Sequence, residues 1–141
     1  MTCVWKGLIS GLVCYKLIKN KTKEFEFASY IKKHNVKTTN VTINDSYLGE
    51  QEINENFLAI ENLNVDNIGS GYMCSTSDPL LALVCQIYSI NIVHKLKRAT
   101  VTYTHDESEF TIMVESNGCH FWLNFEYTQR LANMALKRIK K

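Results

Sequence analysis

Apolar and polar positions along the 141-residue chain fall into two kinds of period. Val4, Trp5, Leu8, Ile9, Leu12, Val13 and Leu17 recur every three or four residues, which predicts a helix with one buried stripe. Gly7 and Gly11 interrupt that stripe, and each costs about 1 kcal/mol against Ala in a helix interior. Phe25, Phe27 and Ile31, followed by Lys32-Lys33-His34-Asn35, predict a short second helix that ends in basic residues where the helix dipole favours them. From Thr38 to Asn44 the pattern changes to alternation, with Val41 and Ile43 on one side and threonines on the other, as in a half-buried strand. Residues 45–72 are the least regular. "EINENFLAIENLNVD" is expected to hold one or two strands, and "NIGSG" a loop.

The second half is better punctuated. In "STSDPLLALVCQIYSI", Asp78 is a good N-cap, Pro79 suits the first helical turn, and Leu80, Leu83, Val84 and Ile87 make an apolar face. "RATVTYTH" and "EFTIMVES" have period 2 and predict two strands joined by a polar loop at His105-Asp106-Glu107-Ser108. Asn117-Gly118 then signals a tight hairpin into a third strand, "CHFWLNFEY". A closing helix is expected from about Thr128, as N-cap, through Leu131, Ala132, Ala135, Leu136 and Ile139.

The expected fold class is therefore α+β. Residues 76–141 would form an α-β-β-β-α unit with a three-stranded antiparallel sheet, and residues 1–75 an N-terminal helical extension carrying one to three strands, with a degenerate second copy of the same unit as an alternative. Two helices on one face of such a sheet bury one core, and the other face stays wet or is covered by the N-terminal half. In the third strand His120, Trp122 and Asn124 alternate with Phe121, Leu123 and Phe125, so one set faces the core and the other still carries a tryptophan.

Composition narrows the classes. With 45% apolar residues, one proline and six glycines, the chain suits one compact domain and not a low-complexity polymer. No run of eighteen apolar residues is present to span a membrane, and the apolar start lacks the basic leader of a signal peptide, so a cytoplasmic or nuclear setting is expected. Cys3, Cys14, Cys74, Cys85 and Cys119 are scattered, without the paired spacing of a zinc site or a disulfide framework, so neither metal nor cofactor is expected. Net charge is +2, but unevenly held: residues 79–141 carry eight Lys and Arg against five acids.

The order of elements from 79 to 141 resembles the double-stranded-RNA-binding domain. "FTIMVESNGCHFW" is similar to that family's second and third strands, "TQRLANMALKRI" to its closing helix and "DPLLALVCQIY" to its opening one. The resemblance implies RNA contacts at three places, where this chain has Cys85, the acidic loop "HDESE" and "TQRLAN" instead of the family's glutamate, neutral histidine loop and lysine cluster. His105 and Arg130 remain as contacts, while Asp106, Glu107 and Glu109 would repel phosphate. Degenerate copies in this family serve as protein-binding or dimerisation modules. The resemblance thus implies a non-catalytic interaction subunit of an RNA-processing or RNA-silencing assembly, with a protein partner or a second copy held by Trp122, His120, Phe121, Phe125 and Trp5. An edge strand with exposed aromatics would also offer its backbone for strand addition.

Two other readings stay open. Lys95, Lys97 and Arg98, expected on the loop entering the first strand, could join His105, Arg130, Lys137 and Arg138 in weak duplex-RNA binding. A small thiol hydrolase would use Cys74 activated by His120, since a nucleophilic cysteine needs a base that favours its thiolate, with Cys3 beside Trp5 as a second candidate.

Overall fold

A computed structural model describes residues 3–70, 72, 74–117 and 120–139, the side chains of Cys3 and Ser70 excepted. In chain order the elements are α1 (Cys3–Cys14), α2 (Glu24–Lys33), β1 (Val41–Ile43), β2 (Ser46–Tyr47), α3 (Glu50–Glu61), a 3₁₀ segment (Val65–Ser70), α4 (Pro79–Tyr88), β3 (Asn91–Leu96), β4 (Ala99–His105), β5 (Thr111–Ser116), β6 (Phe121–Leu123) and α5 (Phe125–Ile139). The six strands form one mixed sheet in the order β2-β1-β4-β3-β5-β6.

The α+β class holds, and the C-terminal half broadly follows the helix-strands-helix order expected of it. Its sheet is not a three-stranded antiparallel meander. A further strand, β3, lies between β4 and β5, antiparallel to the first and parallel to the second. The acidic loop after β4 makes this possible by wrapping the start of β3. Asn91 accepts a hydrogen bond from the His105 N–H at 2.9 Å and donates to the Ser108 carbonyl at 3.3 Å, while its own N–H reaches the Phe110 carbonyl at 2.7 Å.

The stretch expected to hold strands, 52–66, holds none: it is mostly the helix α3, whose inward residues Ile53, Phe57 and Ile60 follow the i, i+4, i+7 spacing of a helical face, and it ends in the 3₁₀ segment. The third strand is also shorter than its aromatic run suggests. Asn124 ends it by capping α5, its Oδ1 accepting from the Tyr127 N–H at 3.2 Å. Thr128 is not the N-cap; its hydroxyl accepts the Met113 N–H at 3.1 Å and so satisfies the edge of β5 beyond the end of β6. Tyr15 does the same for Thr111, accepting its N–H at 2.9 Å and donating to its carbonyl at 2.6 Å. β5 and β6 do form a hairpin, but it pairs Ser116 with Phe121 and bonds the Asn117 N–H to the His120 carbonyl at 3.1 Å, whereas a two-residue Asn117-Gly118 turn would pair Ser116 with Cys119; Gly118 and Cys119 lie outside the described residues.

α1 shows why its glycines are tolerated. It lies on β6 and β5 so closely that a Cβ at Gly7 would fall 2.8 Å from the Phe121 ring, and one at Gly11 would fall 2.7 Å from Ile112. Burying Val4, Leu8, Ile9 and Leu12 is worth about 1.5–3 kcal/mol each, which outweighs about 2 kcal/mol for two helical glycines. Residues from both halves of the chain share one cluster: Trp5, Leu8, Phe27 and Val41 pack with Leu80, Leu83, Tyr103, Ile112 and Val114. Asp78, itself buried, ties α4 into it by accepting from Leu80 N–H (2.9 Å), Leu81 N–H (3.3 Å) and the Tyr72 hydroxyl (2.9 Å).

Candidate interaction face

Burial alternates along every long strand and assigns the two faces of the sheet. Ile92, His94, Val101, Tyr103, Ile112, Val114 and Phe121 point into the core beneath α1, α4 and α5. Their neighbours point the other way, onto a face that no helix among the described residues covers. Register aligns that face into cross-strand rows. Trp122, Glu115, Lys95 and Thr100 stand side by side across β6, β5, β3 and β4. Met113, Val93 and Thr102 form the next row, and Thr104, Thr42 and Tyr47 a further one across β4, β1 and β2.

The face is neither strongly charged nor uniformly apolar. Trp122 is 42% exposed although it stands on a sheet. Beside it, Glu115 accepts a hydrogen bond from the Asn124 amide at 3.3 Å, and Lys95 is exposed without an ion pair to it. At the far edge the Tyr47 hydroxyl donates to Asp106, and this hydrogen bond, which ionisation would lose, raises its pKa.

The residues expected at a site separate here. Trp122 and the exposed His120 remain at the surface, the latter donating its N–H to the Asn117 side chain. Phe125, 59% exposed, opens α5 and faces a groove beside α1 instead of the sheet. Phe121 and Trp5 are not surface anchors. Phe121 is buried under Gly7 and against His94, and Trp5 is fully buried with its ring edge-on to Phe27 and Tyr72. Strand addition at β6 is also disfavoured, since the strand has only three residues and Gly7 of α1 lies against the Leu123 backbone.

The basic residues do not converge. Lys95 is on β3 itself, not on a loop before a strand, and it stands next to Glu115. Lys97 and Arg98 make the β3–β4 turn, with the Lys97 N–H on the Ser116 carbonyl at 3.4 Å. Lys137 instead lines a groove with Cys14 and Lys16, the residues on either side of Tyr15, whose hydroxyl is bonded to Thr111. Ser116 and Thr111 are the two ends of β5, about 16 Å apart at 3.3 Å per residue. Arg130 is engaged with Glu126 at 3.7 Å, and Arg138 is exposed in the last turn of α5. His105 is no contact residue: it is 7% exposed and its Nδ1 accepts the Glu107 N–H at 3.1 Å, holding the loop.

Nor does the thiol reading find its chemistry. Burial and the neighbouring Asp78 carboxylate both push the Cys74 thiol far above its ordinary range, opposite to what a nucleophile requires. The Cys3 side chain lies outside the described residues. Among the described residues no group of three or more His, Cys, Asp or Glu could hold a metal ion, and no helix is long and apolar enough to cross a membrane.

The chain matches no protein-family model, no curated protein and no solved structure. Its class rests on its own architecture: an α+β protein with five helices and a six-stranded mixed sheet, one face of which no helix among the described residues covers.

The sequence left Trp122 either covered by the N-terminal half or open to a partner, and it did not show the face to which the residue belongs. Val93 and Lys95 sit on a strand that was not expected, so their alignment with Met113, Glu115 and Trp122 had no basis in spacing alone.

Proposed function

We propose that the protein is a non-catalytic interaction subunit that pairs with a second copy of itself through the open sheet face around Trp122. The observation that carries this reading is a tryptophan 42% exposed on a sheet face that no helix among the described residues covers. Tryptophan and methionine are enriched at interface cores, and Trp122 and Met113 stand in adjacent rows. A two-fold contact uses the same patch twice, so a patch carrying both Lys95 and Glu115 can set each against its opposite on the partner copy. Five inter-strand spacings of about 4.8 Å and strands of about five residues give roughly 400 Å² in projection. That is small against about 800 Å² per partner in a standard interface, so the pairing is expected to be weak.

Sedimentation from about 5 to 500 µM should show a concentration-dependent dimer. Trp122→Ala should remain monomeric with its thermal melt nearly unchanged, because the ring is not part of the core. Lys95→Glu alone should weaken the dimer, and Lys95→Glu combined with Glu115→Lys should restore it. A wild-type chain that stays monomeric at 500 µM would sink the proposal.

The RNA-processing setting rests on the resemblance over 79–141, and the position of β3 between β4 and β5 speaks against extending it. Direct duplex-RNA binding is the second reading, and the separation of Lys97 and Arg98 from Lys137 along β5 disfavours it. A salt-dependent gel shift that disappears in Arg130→Ala with Lys137→Ala would favour RNA over the second copy.

A further inference from the structure

α1 and α5 leave a groove between them, away from the open sheet face. One part has a volume of about 490 Å³ and the next about 260 Å³, and Cys14, Lys16 and Gln129 line both, so they are continuous. The first lies within the range of small-molecule sites, about 300–1,000 Å³. Its walls are apolar at Ile9, Val13, Ile18 and Phe125 and polar at Ser10, Asn20 and Gln129, and the ring of Phe125 is exposed.

Charge along the groove has one sign. Lys16 lines both parts and Lys137 lines the second, and no carboxylate among the described residues lines either. Lys16 also has an unusual backbone. At φ 58° it follows the end of α1 in the left-handed conformation that glycine adopts most easily, fixed by its N–H on the Val13 carbonyl at 2.9 Å and the Leu17 N–H on Leu12 at 3.0 Å. A glycine would cap the helix with less strain; the lysine adds a cation at the junction of the two parts of the groove.

We propose that this groove binds a free anionic amphiphile of the fatty-acid type, its carboxylate between Lys16 and Lys137 and its apolar chain lying toward Ile9 and Phe125. Two lysines on a groove that no carboxylate lines among the described residues favour an anion, and the apolar part of the wall favours a chain over a small inorganic ion. This site is separate from the proposed pairing face.

The test is a titration of the ¹⁵N-labelled full chain with decanoate below its micelle concentration, followed by amide shifts. Saturable shifts confined to the neighbourhood of Val13, Lys16, Phe125 and Gln129 are expected. Lys16→Asn combined with Lys137→Gln should weaken binding at least tenfold; asparagine is chosen because it tolerates a left-handed backbone. Decanol, with the chain but no charge, should bind at least tenfold more weakly than decanoate. The proposal fails if decanoate gives no saturable shift, if the double variant binds it equally well, or if decanol binds as tightly.

Discussion

His94 shows what one buried side chain does to the stability of the fold. It sits on β3 with no exposed surface, its Nε2 2.8 Å from the Ser116 hydroxyl and its ring 5.5 Å from Phe121. Its Nδ1 has no hydrogen-bond partner. Burial disfavours the charged imidazolium and pushes the pKa down to about 4, against an ordinary value of about 6.5. The unfolded chain therefore takes up the proton first as pH falls. Stability from the neutral ring is complete above about pH 6.5 and is lost progressively down to about pH 4, by about 3 kcal/mol in all. Asp78 works in the opposite sense, since burial raises its pKa and protonation relieves a buried charge as pH falls. Urea unfolding at pH 7, 6, 5 and 4 separates the two. Wild type minus His94→Leu should show a midpoint difference that shrinks or reverses on acidification, whereas parallel pH profiles would show that the ring titrates as it does in water.

At the scale of elements, the contact between α1 and the sheet is set by two missing side chains. Gly11→Ala adds a Cβ that would lie 2.7 Å from the Ile112 Cγ2 and 2.9 Å from its Cδ1, and Ile112 is fully buried. Overpacking of this kind costs about 1–3 kcal/mol, and the gain of about 1 kcal/mol in helix propensity offsets only part of it. A lower melting temperature for Gly11→Ala is expected; a higher one would mean that α1 is free to shift outward.

The same contact explains what was legible in the sequence. The stripe beginning at Val4 announced α1, although the helix ends at Cys14, short of Leu17, and Asp78-Pro79 announced α4, because in both the local chemistry and the buried face agree. The glycines looked only like a cost, since spacing cannot show which neighbour occupies the space they leave. β3 was hidden for a related reason: its inward positions are Ile92, His94 and Leu96, and a buried histidine breaks the apolar alternation that marks a strand. α3 was hidden because it buries little, with Ile60 its single buried residue and Leu58 exposed, so that its asparagines and glutamates outweighed a sparse helical stripe. Of the candidate site, Trp122 could be read from the chain, whereas the rows around it depend on a parallel β3–β5 pairing that no short-range pattern encodes.

At the scale of the molecule, the question is whether residues 76–141 can stand without the rest. β1 supplies the antiparallel neighbour of β4, pairing Val41 with His105 and Ile43 with Tyr103. α1 covers Phe121 and Ile112, and Tyr15 satisfies both backbone groups of Thr111. A chain starting at residue 76 would expose those side chains on the core face and leave the β4 edge and the Thr111 amide to water. Burying Phe121 and Ile112 alone is worth about 1.5–3 kcal/mol each, and the total stability of a domain this size is only about 5–15 kcal/mol. The fragment is therefore expected to lack a cooperative thermal transition and to bind a hydrophobic dye, while the full chain melts in one step. Restoring residues 1–75 as a separate polypeptide should recover part of the transition if the shared core is the cause. A fragment that melts cooperatively alone, with dispersed amide resonances, would instead mean that α4, β3–β6 and α5 form an independent unit to which the N-terminal half is added.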